Sequence, residues 1–259
     1  MNIKSKLLLA LLATSSAAFA QTAPAAETPE VTYNVGVVSQ YRYRGIAQTK
    51  GDAALQGGVD YANANGFYAG AWASTIKWIK DAAESGHAGQ TKGPVELDLY
   101  GGYKFEAAGL GFDVGYLRYE YLGNTYKNST AATYVNANTD EVYGAATYGV
   151  TTLKYSYAVS DLFGYTNSNG STYWDLSATL DLGNGYSLVP HAGRQEVKNH
   201  AANSYTDVAL TLNKDLGDGL TASVAAIRTN RKGDSNFASN LTSYDTAKNT
   251  LVVGVKYGF

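Results

Sequence analysis

Charged and titratable side chains that alternate with apolar ones are where this chain could do chemistry. Asp60, Glu96, Asp98, Lys104, Asp113, Lys154, Asp175, His191, Asp207 and Lys256 each sit one residue away from apolar or small neighbours within alternating segments, and Arg42 and Arg44 keep the phase of Thr32, Asn34 and Gln40. In an extended chain that spacing gathers the charged groups on one face. Such a face can attract and pass polar solutes, or its members can pair with one another and stiffen a wall. For Arg42 and Arg44, near the expected upper rim, both outcomes stand: a basic constriction, or ion pairs with inward carboxylates. With Asp181 counted, seven inward acids face five bases, so no strong ion selectivity is expected.

Other chemistries have little to build on. The sequence has no cysteine, hence no thiolate nucleophile, thiolate metal site or disulfide. His87 and His200 fall in polar connections and read as solvated. His191 is the one histidine on a wall segment, so it is the residue to weigh as the base of a lipid hydrolase. Its neighbours Leu188, Pro190 and Ala192 take the outward phase, which turns His191 inward, and no serine is marked as its partner. No catalytic residue, metal site or cofactor is expected. Glycine runs such as Gly101-Gly102 have no following helix and cannot cradle phosphate.

The elements that must hold these residues are strands. Twelve alternating segments are expected, at about 31–43, 53–62, 67–76, 94–105, 110–121, 140–148, 150–160, 172–182, 185–194, 204–214, 219–229 and 249–259. In the eighth, Trp174, Leu176, Ala178, Leu180 and Leu182 alternate with Tyr173, Asp175, Ser177, Thr179 and Asp181. The fourth sets Val95, Leu97, Leu99, Tyr103 and Phe105 against Glu96, Asp98, Tyr100 and Lys104. In the fifth, Arg118 and Glu120 share the apolar phase of Phe112, Val114 and Tyr116, which calls either for a position beyond the apolar band or for a bulge. The third, FYAGAWASTI, has no clear polar face.

The connections sort by length. Asn63–Gly66, Ala107–Gly109, the Gly149 region, Gly183–Gly185 and Gly217–Gly219 are hairpin turns, whereas 77–93, 122–139, 161–171 and 230–248 are longer and polar. That alternation, with one apolar and one polar face per strand, predicts an all-β, closed antiparallel transmembrane barrel of twelve strands, with short periplasmic turns and longer extracellular loops. DLGNG at Asp181 and DLGDG at Asp215 read as independent uses of one good turn. Aromatic residues at strand ends (Tyr41, Tyr43, Phe105, Tyr119, Tyr121, Tyr157, Tyr186, Tyr257, Phe259) are expected to form two interfacial girdles.

The chain ends carry export signals. Lys4 and Lys6, the apolar run Leu7–Ala13 and Ala18-Phe19-Ala20 read as a signal peptide, residues 1–20, cleaved after Ala20. Residues 21–30, QTAPAAETPE, read as a flexible periplasmic lead-in, and 31–259 as the barrel. The processed chain has eighteen basic and twenty-two acidic residues, a formal charge of −4, which excludes a polybasic nucleic-acid binder. The final strand, LVVGVKYGF, puts Tyr257 and Phe259 on its apolar face. It resembles the terminal strand of bacterial outer-membrane barrels, which implies recognition by the barrel-insertion machinery.

SQYRYRG at Ser39–Gly45, ALQGGVDYAN at Ala54–Asn63, GFYAGAWAS at Gly66–Ser74 and ELDLYGGYKF at Glu96–Phe105 together resemble the TorF-like family of outer-membrane porins. The resemblance covers roughly the first third of the processed chain most strongly. It implies a barrel in the cell outer membrane, surrounded by lipid, with a pore role but no catalytic residue or cofactor. The expectation is passive diffusion of small hydrophilic solutes through a narrow or nearly plugged lumen. The rivals are a non-conducting structural or surface-interaction barrel and, third, a lipid hydrolase.

Overall fold

A computed structural model of the chain describes residues 29–81, 92–128, 134–231 and 244–259. The signal peptide, most of the lead-in, His87 and parts of three long connections lie outside the described residues. Twelve wall strands follow in order: β1 Glu30–Val38, β2 Ala54–Ala62, β3 Phe67–Thr75, β4 Val95–Ala107, β5 Leu110–Tyr121, β6 Thr139–Tyr148, β7 Thr151–Ala158, β8 in two pieces (Thr172–Ala178 and Leu180–Gly183), β9 Tyr186–Glu196, β10 Tyr205–Gly217, β11 Leu220–Thr229 and β12 Thr250–Gly258. Each strand pairs antiparallel with its sequence neighbours. β12 closes the sheet on β1, through pairs such as Val35 with Tyr257, so the wall has no edge.

Alternation explains why these segments are strands and which way they face. Val31, Tyr33, Val35 and Val37 of β1, Leu99 of β4, Val208 and Leu210 of β10 and Leu251, Val253 and Val255 of β12 are all exposed on the outside. Glu96, Asp98, Asp113 and Asp207, in the opposite phase of their strands, are buried inside. An apolar exterior around a polar interior is the inverse of a soluble barrel, and only hydrocarbon makes it favourable. The expected twelve strands and their facing are present.

Turns at the periplasmic end fix the register. Asn184 and Gly185 both have positive φ, 52° and 75°, the conformation that two-residue hairpins demand. The two DLG runs use one device twice. Asp181 and Asp215 each accept the amide of the glycine two residues on, at 2.8 Å, and each strand shifts register there. Asp181 keeps its inward phase, opposite buried Ser187, but lies exposed at the periplasmic end, where it caps the turn and is no deep lumen charge.

Two further expectations change, and the alternative left open at Arg118 is decided. The first strand ends at Val38, and residues 39–53 leave the wall, because Arg42–Tyr43 and Ile46–Ala47 pair with each other instead of with a neighbouring strand. Tyr41, Tyr43, Tyr119 and Tyr121 are 1–7% exposed and point inward, so they belong to the core and not to a girdle. The periplasmic girdle is present: Tyr33, Tyr257 and Phe259 stack, as do Tyr103, Phe105 and Phe112, with Phe67 tilted against Tyr103. Around Arg118 the β4–β5 register runs without a bulge. Arg118 therefore faces outward at the upper rim, held by Glu120 at 2.7 Å and Asp140 at 2.9 Å.

Candidate functional site in the barrel lumen

The inner segment grows from its own turn chemistry. Arg44 and Gly45 have φ of 46° and 79°, and Tyr43 pairs with Ile46, so RYRGIA folds as a tight two-residue hairpin inside the barrel. A β-carbon on Gly45 would lie 2.7 Å from Cβ of Asp207, so the hairpin tip touches the far wall. Several contacts pin the segment. The Tyr41 hydroxyl donates to Glu96 at 2.7 Å, and the Tyr43 and Tyr119 hydroxyls are 2.6 Å apart. Arg44 donates to both oxygens of Glu141, at 3.0 and 2.8 Å, and to Oε1 of Gln195 at 2.7 Å. Arg42 donates to the carbonyls of Gly45 and Thr246.

Both arginines therefore lie in the lumen, but on an inner hairpin and not on the wall, and neither is presented to solvent: they are 1% and 3% exposed. The Arg44 guanidinium also lies 4.2 Å from the centre of the Tyr173 ring and 4.8 Å from that of Tyr43. Burial, and next the Glu96 carboxylate, push the Tyr41 phenol well above its ordinary pKa, so it stays a neutral donor.

Below and around the hairpin the wall residues form a second layer. His191 lies between two carboxylates, with Nε2 3.0 Å from Asp175 and Nδ1 3.6 Å from Asp207. The Tyr173 hydroxyl donates to Asp207 at 3.0 Å. Tyr68 donates to Asp113 at 2.6 Å and meets the Tyr143 hydroxyl, while Lys154 places its ammonium 3.9 Å over the Tyr143 ring. Tyr100 donates to Asp60. Asp98 is wholly buried, and neither of its oxygens has a hydrogen-bond partner among the described residues. Lys104 and Lys256 lie nearer the periplasmic end and are only half-buried, as are Asp60 and His191. Both His191 nitrogens face carboxylates, so neither is left to activate a serine. Ser177, its register partner across β8 and β9, makes no hydrogen bond to it among those described. His200, expected as solvated, packs against Tyr165 and bonds the Thr166 carbonyl.

Glycines make room for the lumen tyrosines. Tyr68 lies opposite Gly102, Tyr100 opposite Gly70 and Tyr143 opposite Gly115, and a β-carbon on each of these glycines would come within 2.5 Å of the facing tyrosine. The abundance of both residue types reflects this packing. Sequence reasoning missed Glu141, the main partner of Arg44, although outward Val142 beside it already set its phase. It placed Tyr100 and Tyr173 inward but missed Tyr68 and Tyr143, because a face of Tyr and Gly looks neither polar nor apolar.

Fold and lumen together define a transmembrane β-barrel whose lumen is filled, toward its long-loop end, by an inner hairpin. The chain belongs to the family described as "Bacterial protein of unknown function (Gcw_chp)", which matches residues 22–259. The sequence matches no curated protein. Among solved structures, the fold is similar to the NanC porin (13% identity, TM-score 0.52, covering 88% of this chain and 99% of that one). It is also similar to the COG4313 outer membrane channel from Pseudomonas putida F1 (13% identity, TM-score 0.52, covering 92% and 99%).

Proposed function

We propose that this protein is an outer-membrane channel for small hydrophilic solutes whose lumen is closed, in the conformation described, by its own segment 39–53. The observation that carries the reading is the burial of charge inside the barrel, toward its long-loop end. Arg42, Arg44, Glu96, Asp98, Asp175 and Asp207 are at most 4% exposed, so no solute passes that level until the hairpin moves. Below it, the phenols of Tyr68, Tyr100 and Tyr143 and the charges of Asp60, Asp113 and Lys154 line the lumen, which suits hydrated cargo and not lipid. The resemblance to the TorF-like porins, carried largely by residues of the inner hairpin and β2–β4, fits the same role. In this reading the loops face outward, the signal peptide directs export, Tyr257 and Phe259 present the insertion signal, and no chemical step occurs.

The same packed lumen favours a second reading, a non-conducting structural barrel. Two proteins reconstituted in planar bilayers separate the readings: wild type, and a variant with residues 41–51 replaced by a short Gly-Ser linker. The channel reading expects rare openings from wild type and steady conductance from the variant. A folded variant that carries no current at any voltage leaves the structural reading in possession.

A further inference from the structure

We propose that the outer wall holds a binding site for an acyl lipid with an anionic phosphate headgroup, its chain in the groove over β10–β12 and its phosphate on Arg228. The groove has an open volume of about 660 Å³. Ala226 forms its floor, because this small residue lies in register with Leu210 on one side and Leu251 on the other. Both leucines stand outward, 48% and 67% exposed, as the two ridges. A floor of one methyl between two leucine ridges is a slot for an extended hydrocarbon chain.

Arg228 caps this slot. It follows Ala226 by two residues on the same outward face, next to Val208 of β10. From Leu220 at the periplasmic turn, eight residues at ~3.3 Å each along a strand tilted by ~40° raise it by roughly 20 Å, near the upper edge of an apolar band ~25 Å tall. Asn249 precedes Thr250, the register partner of Ile227, and so adds an amide at the same height. Charge complementarity selects the headgroup. Outward Arg118 is held by Glu120 and Asp140, and Arg194 has Glu196 at 3.7 Å. Arg228 makes no hydrogen bond or ion pair among the described residues. A guanidinium at the lipid boundary without a carboxylate is matched by a phosphate, which it binds with two parallel N–H donors. The inference rests on the barrel spanning a bilayer and is indifferent to whether the lumen conducts.

The test is native mass spectrometry of the full-length processed protein in detergent, titrated with dimyristoylphosphatidylglycerol, with dimyristoylglycerol and with inorganic phosphate. Wild type should retain the phospholipid, bind the neutral diacylglycerol much more weakly and hold no free phosphate. Arg228→Ala should weaken phospholipid retention about tenfold. Ala226→Leu should weaken it comparably by filling the slot while leaving the charge in place, and Arg194→Ala should change little. Wild-type retention by both Arg228→Ala and Ala226→Leu would overturn the site. So would an equal loss in Arg194→Ala, which would mean diffuse rim charge, or a two-chain species abolished by Ala226→Leu, which would make the groove a contact between copies. Conductance recorded from the same preparations keeps this outcome separate from the channel reading.

Discussion

Arg44 concentrates the energetics of the closed lumen at one residue. Its charge is buried and compensated chiefly by Glu141, 3% exposed at its side chain, at 2.8 Å. Removing one partner of such a pair leaves an uncompensated buried charge and costs about 3–5 kcal/mol. Glu141→Gln should therefore shift the hairpin outward and raise open probability in planar bilayers by at least tenfold, with the barrel still resistant to unfolding in cold detergent. Replacing both partners, Arg44→Met with Glu141→Met, should restore the closed state, since apolar residues of similar volume can substitute for a buried pair. A quiet single variant, or a double variant as open as the single one, would mean that the pair does not hold the hairpin. Gly45→Val tests the tip independently. It combines a positive φ of 79°, which costs a branched residue about 1–3 kcal/mol, with a β-carbon 2.7 Å from Asp207. Channel recordings should show this variant open more often than wild type.

At the scale of elements, the lumen is assembled from tyrosines laid over glycines on adjacent strands, and this packing predicts where the wall is intolerant. A β-carbon on Gly193 would lie 1.9 Å from the Tyr173 hydroxyl and 2.9 Å from a carboxylate oxygen of Asp207. Gly193→Ala should push Tyr173 off Asp207 and Arg44, lowering the urea midpoint by the equivalent of about 1–3 kcal/mol. Gly144→Ala, with nothing within 4 Å of its added carbon, should leave the midpoint unchanged. The same elements show what was legible in the sequence. Strand count, facing of β4 and β8 and the short turns could be read because lipid and lumen impose opposite demands on successive residues. Residues 39–45 misled because SQYRYRG keeps the alternation of the strand before it, and nothing local says that the chain leaves the sheet. The inward side of β3 was hidden for the complementary reason. Tyr68, Gly70, Trp72 and Ser74 face a packed interior and not open water, so the face lacks the charge that a solvated channel would select.

For the whole molecule, the closed wall means that outside and inside obey different solvents, and substitutions should divide by face and depth, not by strand. Val253 lies midway along β12, 56% exposed on the outside, while Tyr257 on the same face lies at the periplasmic end, 44% exposed in the stacked aromatic girdle. A cation carried to mid-bilayer costs about 2–4 kcal/mol, falling to about 0–1 kcal/mol at the interface. Val253→Arg should accordingly destabilise folding into lipid vesicles by several times as much as Tyr257→Lys, even though the second removes the larger side chain. Urea titration of vesicle-folded protein, followed by tryptophan emission from Trp72, Trp78 and Trp174, reads both. A soluble barrel would give the opposite order, because an exposed arginine is harmless in water while loss of stacked Tyr257 is not. Equal costs at the two depths would remove the bilayer from the account of what stabilises this wall.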